Sequence, residues 1–362
     1  MERPYSREKV MVMSKKLRWG ILGVANIATK LVIPAMQKGE RTVVTAIASR
    51  DLHKAQQAAD SLGIPKAYGS YDELLADPDI DAIYNPLPNH LHIPWTIKAA
   101  ETGKHVLCEK PLSMNTEEAL SLIDVRNRTG MKIQEAFMIR THPQWSHIID
   151  LVRSGRIGTV RSVMGYFHYN NTDSKNVRNI LEYGGGGLLD IGCYLIYSSR
   201  LIFGGDPEIV VGLIRNDPEF KTDMLTSAIL DYADQEGHAI FTCSTQAVPN
   251  QRIQVFGTEG RLEVEVPFTP PADYAARLSI DDGSKLPSRE PEVIEFEPCN
   301  QYTLQGDAFS KAVQEDADLP LTLETSIMNM AIIDALFKSA DTGGWVRPSE
   351  ILEQAHIKTK HS

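Results

Sequence analysis

Three side chains in this sequence have the types and the settings for proton transfer. Lys110 sits between Glu109 and Pro111, directly after the apolar run His105-Val106-Leu107-Cys108. A lysine between an acid and a proline, just past a buried strand, is well placed for chemistry; a surface lysine in a turn fits the spacing equally well. Asp190 and Tyr194 stand four apart within the apolar stretch Leu188 to Phe203, so a helix there puts both on one face. Asp190 either caps that helix after Gly184-Gly185-Gly186-Gly187 or orients a ligand. Tyr194 is either a core aromatic or a proton-transfer group.

The elements that must position these groups begin at Leu17. Leu17 to Leu22 reads as a buried strand, Gly23 as a sharp turn, and Ile27, Ala28, Leu31, Val32 and Ala35 as the apolar face of a helix. Strand, turn and helix in this order form a dinucleotide-binding βα unit, in which Gly23, Ala25, Asn26 and Ile27 would meet a pyrophosphate at the helix N-terminus. The fingerprint reads Gly23-x-Ala25-x-x-Ala28; Ala at its second position leaves less room for the phosphate. The strand Thr42 to Ala48 ends at Ser49-Arg50-Asp51, about 20 residues past the turn, where the ribose is read. Ser49 and Arg50 suit a 2′-phosphate, with Lys54 close behind, so NADP is favoured over NAD. Asp51, one place later, caps the next helix in this reading or, shifted by one, binds the ribose.

A short helix (Tyr71 to Leu75) and a strand (Ile80 to Tyr84) lead into Asn85-Pro86-Leu87-Pro88-Asn89-His90-Leu91-His92. Ligands of open parallel sheets sit at such strand ends, which makes Pro86, Leu87, Asn89 and His92 cofactor-edge residues, with Glu109 and Lys110 at the end of the next strand. His90 and His92 form H-x-H without a third ligand, a poor match to metal spacings, and no metal is expected. Pro94 opens a helix that runs through Thr96 to Thr102. The helix Thr116 to Arg128 and the strand Lys132 to Ala136 complete a first domain at 14–135.

The second domain, 136–346, starts with Arg140 in a strand-to-helix loop, counted with the cofactor residues, and an amphipathic helix carrying Trp145, Ile148, Ile149 and Val152. Strands are predicted at Gly158 to Asn170, Glu208 to Asn216, Ser227 to Tyr232, His238 to Thr245 and Ile253 to Gly257. They imply an open, mostly antiparallel sheet. Pro267 to Pro298 reads as loops and edge strands. Helices near Leu304 to Val313 and Leu323 to Ala340 should pack back on the first domain. The fold class is α/β.

Bulk properties narrow the function. At 362 residues the chain holds two domains, and 42% hydrophobic residues is ordinary for a globular protein. A net charge of −10 argues against nucleic-acid binding. No apolar run approaches the ~18 residues of a membrane span, and Val10-Met11-Val12-Met13 is too short for a signal-peptide core. Translation from Met1 or from Met13 fits equally. Cys108, Cys193, Cys243 and Cys299 are far apart and form no C-x-x-C pair, which fits reduced thiols and a cytoplasmic location.

Taken together, the turn at Gly23 to Ala28, the segment Pro86 to His92, Glu109-Lys110-Pro111 and Gly185-Gly186-Gly187-Leu188-Leu189-Asp190-Ile191-Gly192-Cys193-Tyr194 resemble the glucose–fructose oxidoreductase and inositol dehydrogenase (Gfo/Idh/MocA) family over nearly all of Leu17 to Val346. The resemblance implies a Rossmann domain followed by an α/β domain whose sheet pairs subunits, as a homodimer or homotetramer. It makes Lys110 the catalytic lysine and Asp190 a substrate-binding aspartate. Tyr194 stands where inositol dehydrogenases carry His, as in the branch of glucose–fructose oxidoreductase, dihydrodiol dehydrogenase and NADP-dependent D-xylose dehydrogenase. Asn176-x-Arg178 resembles a sugar-pocket segment of that branch. The implied activity is hydride transfer between NADP and a CH–OH group of a sugar or diol. In it the Lys110 cation favours the Tyr194 phenolate as base, and Asp190 orients the substrate together with Arg178. The alternatives are an NAD-dependent glycosidase and a non-catalytic cofactor-binding regulator.

Overall fold

The computed structural model describes residues 15–285 and 290–359. The Val10 to Met13 patch and the Met13 start lie outside them.

Six short strands, β1 (Leu17–Leu22), β2 (Thr42–Ala48), β3 (Lys66–Tyr68), β4 (Ala82–Asn85), β5 (His105–Cys108) and β6 (Ile133–Glu135), form a parallel sheet in the order β3-β2-β1-β4-β5-β6. Apart from the half-buried edge strand β3, their side chains are mostly buried, as parallel strands covered on both faces require: Trp19, Ile21, Ile83 and Val106 are all fully inaccessible. Helices α1 (Ile33–Met36), α2 (Leu52–Leu62), α3 (Tyr71–Ala76), α4 (His92–Glu101) and α5 (Thr116–Thr129) make the crossovers. The strand order reverses between β1 and β4, which opens a crevice beyond their C-terminal ends. The Gly23 turn and the Pro86 loop both emerge there.

The second sheet has eight strands: β7 (Val160–Asn170), β8 (Ile209–Asn216), β9 (Asp223–Tyr232), β10 (Gly237–Ser244), β11 (Gln246–Gly257), β12 (Arg261–Val264), β13 (Ala276–Asp281) and β14 (Glu292–Phe296). They run in the order β14-β13-β12-β11-β7-β10-β9-β8, antiparallel except for the parallel pair β7 and β10. Helix α6 (Pro143–Arg153) precedes this sheet, and α7 (Cys193–Phe203) follows β7 and packs on it. Along β7 the period of two sends Val163, Phe167 and Tyr169 toward the helices and Met164 to the opposite, open face.

Helices α8 (Gln301–Gln314), α9 (Leu323–Thr342) and α10 (Pro348–Thr359) return toward the first sheet. Trp19 on β1 donates its indole N–H to Ser310 Oγ at 3.2 Å, and its ring lies 5.2 Å from Phe309. A buried aromatic pair of this kind adds about 0.5–1.5 kcal/mol beyond its area. Asp307 accepts the main-chain N–H groups of Glu40 and Arg41 at 2.9 and 2.8 Å. Both contacts tie α8 to the first sheet.

Several ranges differ from the sequence-based ones. Helix α4 starts at His92, two residues before Pro94, because a proline in the first turn forfeits only an N–H that has no helical partner. Strands β3 and β12 are too short to show a period, and α10 has a weak apolar face; none was predicted. The segments ahead of α1 and α7, Ala28–Val32 and Leu188–Gly192, are wide π-type turns. Among the described residues no helix is long and apolar enough to cross a membrane.

Candidate active site

The crevice at the end of the first sheet widens into a cleft of about 1050 Å³ walled by both sheets. The first sheet contributes Ala25, Asn26 and Ile27 from the turn, Pro86, Leu87, Asn89 and His92 from the β4 loop, and Glu109 and Lys110 from the end of β5. The second contributes Phe167 and Tyr169 from β7, Arg178, Asp190 and Tyr194, while Tyr302 enters from α8. Sequence patterns hundreds of residues apart thus meet in one place.

At its centre Lys110 Nζ donates to Asp190 Oδ1 at 2.8 Å and to the Asp190 main-chain oxygen at 2.6 Å. Asp190 Oδ2 accepts from Tyr169 Oη at 2.7 Å and from Arg178 Nε at 2.8 Å. Burial alone would raise the Asp190 carboxyl, but Arg178, Lys110 and Tyr169 outweigh it and hold the group far below the carboxylate range. Burial opposes the Lys110 charge too, yet Asp190 keeps that ammonium above its ordinary value. Asp190 therefore stays ionised and accepts hydrogen bonds, while Lys110 stays cationic and donates them. Asp190 does not cap the helix: its main-chain N–H bonds Gly186 O at 3.1 Å and its carboxylate is spent on the cations.

Tyr194 is both a wall of the cleft and a core aromatic. Its ring packs against Phe137, Phe167 and Phe268 at 5.2, 5.9 and 5.4 Å. Its hydroxyl lies 3.3 Å from Met138 Sδ. The Lys110 ammonium stands over the ring, 5.2 Å from its centroid, instead of at the oxygen. Burial, with Tyr302 and Glu109 nearby, pushes the phenol well above its ordinary value. This corrects the expectation of a phenolate favoured by Lys110: the hydroxyl stays protonated and is a donor.

The other expected residues divide into those that reach the cleft and those that do not. Gly23, Ser49, Arg50, Lys54 and Arg140 are not among the lining residues. Gly23 shapes the turn from below, with φ +83° and its N–H on Ala48 O at 2.8 Å. Asp51 caps α2, accepting the His53 and Lys54 N–H groups at 3.0 and 3.3 Å. Arg50, exposed at the end of β2, stands beside the Tyr71 hydroxyl. His92 lines the cleft with its ring nitrogens 2.7 Å from Leu87 O and 2.7 Å from Pro111 O; burial lowers its pKa to about 4, so the neutral ring donates its one N–H to one of these carbonyls. It bridges the β4 loop and the Lys110 loop. Asn89 likewise bridges the two walls, donating to Gly184 O at 2.8 Å.

The sequence reading missed Tyr169, Phe167 and Tyr302. The first two share the inward face of β7 with Val163, so the period of two in that strand carried the signal. Tyr302 had none, since α8 is remote in sequence from every motif.

The turn fits a dinucleotide. A Cβ on Gly23 would come within 3.0 Å of Leu87 Cδ2 in a conformation that favours glycine. Thr29 N–H bonds Ala25 O at 3.0 Å, so the helix begins at the turn, and Ala25, Asn26 and Ile27 line the cleft there, at the end where a helix leaves N–H groups for an anion. Residues 17–137 match the model of the Gfo/Idh/MocA oxidoreductase family with its NAD-binding Rossmann fold, and residues 145–263 match the model of that family's C-terminal domain. The chain belongs to this family. The uncharacterized oxidoreductase ORF334 of Rhizobium meliloti is 47% identical over 91% of this chain and 98% of its own length. D-xylose 1-dehydrogenase (NADP(+)) 2 of Haloferax volcanii is 38% identical over 91% and 99%. Among solved structures, KijD10, a 3-ketoreductase from Actinomadura kijaniata in complex with NADP and TDP-benzene, superimposes with a TM-score of 0.83 at 31% identity, covering 90% of this chain and 98% of that one. Solved forms of KijD10 include a Tyr-to-Phe variant and Lys-to-Ala and Lys-to-Glu variants.

Proposed function

We propose that this protein is an NADP-dependent dehydrogenase acting on a CH–OH group of a sugar or dihydrodiol, an aldose such as D-xylose or D-glucose being the first choice. The observation that carries the reading is the bonded pair Lys110–Asp190 with its ammonium over the Tyr194 ring, in a cleft reached by the dinucleotide turn. The xylose dehydrogenase relative, NADP-dependent by name, supports the substrate class and the cofactor. Arg50, with Asp51 committed to its cap, supports NADP from the chain itself.

Ala25, Asn26 and Ile27 would hold the pyrophosphate, Arg50 the 2′-phosphate, and Glu109 and the Pro86 loop the nicotinamide end. The bound nicotinamide supplies the hydride acceptor or donor. The chain's residues handle the proton and the substrate. Asp190 accepts a bond from a sugar hydroxyl through the lone pairs its partners leave free. Lys110 and Tyr194 both donate, so they polarise a carbonyl oxygen and supply its proton during reduction. For oxidation Tyr194 must first release its proton, which burial opposes.

A substrate screen read by NADPH absorbance tests this, with aldoses, dihydrodiols, keto-sugars, dTDP-sugars and aryl glycosides as arms. Turnover of an aldose or diol with NADP is the expected result. Cleavage of aryl glycosides without net NADPH change, or cofactor binding with no turnover of any arm, would replace the reading by the glycosidase or the regulator.

A further inference from the structure

Two buried carboxyls outside the cleft bond to the backbone on either side of the Lys110–Asp190 pair. Glu135, the last residue of β6 and 1% exposed, accepts the N–H of Leu112 through Oε1 at 2.8 Å. Asp223, the first residue of β9 and 4% exposed, accepts the N–H of Leu188 through Oδ2 at 2.6 Å, the N–H of Gly187, and the Thr226 hydroxyl at 3.0 Å. Leu112 lies two residues after Lys110 and Leu188 two residues before Asp190. One clamp comes from each sheet.

The surroundings of Asp223 are built to fit it. Gly186 has φ +123°, and a Cβ there would fall 1.9 Å from Asp223 Oδ1, so no larger residue leaves the carboxyl in place. Burying a carboxyl is costly unless donors meet it. Three donors converge on Asp223, and a carboxylate is the side chain that only accepts. An apolar residue would leave the orphan N–H groups at the start of the Asp190 segment unpaired.

We propose that Glu135 and Asp223 are positioning residues that together set the separation and orientation of Lys110 and Asp190. The inference rests on the reading that this pair serves the substrate. Neither carboxyl lines the cleft, so neither touches the reacting atoms.

The test compares Glu135→Met, Asp223→Ala and Gly186→Ala with the wild type. Met and Ala offer no acceptor to the Leu112 and Leu188 N–H groups; the Gly186 change displaces an intact Asp223. Each should lower kcat by up to about 100-fold, the cost of misplacing groups by about 1 Å. NADP(H) affinity should stay near wild type, because the turn at Gly23 is untouched. Crystal structures of the variants should show Lys110 Nζ and Asp190 Oδ1 drawn apart beyond hydrogen-bonding range. Wild-type kcat per folded molecule, with the pair still at 2.8 Å and only the melting temperature lowered, would overturn the proposal and leave both acids purely structural. If the wild type turns over no substrate, the crystallographic separation still decides: an opened pair upholds the positioning role while the dehydrogenase reading fails.

Discussion

Lys110 holds Asp190 at two points, through the carboxylate at 2.8 Å and through the main-chain oxygen at 2.6 Å. The second contact fixes the ammonium relative to the helix backbone, so the lysine joins the walls of the cleft as well as bearing its charge. Lys110→Met keeps approximate volume and removes both bonds. It should abolish most turnover, by about 100- to 10,000-fold, and leave NADP(H) binding nearly intact, measured by fluorescence titration. It also leaves the Asp190 carboxylate with Arg178 and the Tyr169 hydroxyl. Near-normal activity in this variant would remove the dehydrogenase reading itself.

The same network makes a stability prediction at low pH. The folded Asp190 carboxyl titrates below its unfolded value, so its contribution is present above the unfolded pKa and is lost as the pH falls through the folded one. Asp190→Asn should therefore cost most near neutrality, and its melting temperature should converge on the wild type toward strong acid. A constant gap from pH 7 to pH 3 would show that the partners do not stabilise the charge.

Glu135 carries the opposite sign. Burial pushes its carboxyl up to about 7, with the Leu112 N–H and Ser326 opposing the rise, Glu109 adding to it and Lys110 opposing it. A raised acid contributes its stability below the unfolded pKa, and loses it as the pH rises through about 7. Glu135→Gln, which keeps an oxygen for the Leu112 N–H, should thus gain in melting temperature relative to the wild type between pH 5 and pH 9. Cys193, which faces the same acid, stays a thiol over this range because burial pushes it well above its ordinary value.

Much of this was legible in the sequence because its chemistry is local. The β1 turn, the Glu109-Lys110-Pro111 corner and the glycine run each announce themselves within a dozen residues, the alternation of strands and helices marks the first sheet, and the run of successive strands marks the second. What was hidden depends on side chains meeting across the fold. Nothing near Asp223 in sequence says that it caps a segment 35 residues earlier, and no spacing shows that the Lys110 ammonium sits over the Tyr194 ring instead of its oxygen. Tertiary direction decides such contacts, and periodicity carries none of it.

Arg50 tests cofactor choice. Asp51 is engaged by the His53 and Lys54 N–H groups at the α2 N-terminus, which leaves Arg50, beside the Tyr71 hydroxyl, as the charged group at the end of β2 to meet a 2′-phosphate. Arg50→Ala should weaken NADP(H) far more than NAD(H), by the roughly 1.5–3 kcal/mol of a charged hydrogen bond. Equal losses in calorimetric titrations would sink the assignment.

The open face of the second sheet bears on assembly. Ile229, Ile240 and Met164 occupy adjacent positions on β9, β10 and β7 and are 36%, 39% and 44% exposed, with Leu213 on β8 71% exposed. Contiguous apolar patches tend to be protein interfaces, and we propose that a second copy of the sheet covers this one in a self-complementary two-fold dimer. Light scattering at micromolar concentration should give at least a dimer, and Ile229→Asp with Ile240→Asp should give a monomer. A wild-type monomer contradicts the pairing.

The deciding substitution is Tyr194→Phe. It removes one hydroxyl from a ring that Phe137, Phe167 and Phe268 already hold, so the fold should suffer little. If Tyr194 supplies the proton, carbonyl reduction should fall by about 100- to 10,000-fold, while the double variant with Lys110→Met should be little worse than either single change. The pH dependence separates the directions. The phenol is raised well above its ordinary value by burial, so it remains a donor from pH 6 to pH 9, and reduction should be flat in that range. Oxidation needs the proton gone and should climb with pH across the same interval. Near-normal reduction by Tyr194→Phe would make Tyr194 a core aromatic alone and leave the proton to Lys110, whose ammonium already donates into the cleft.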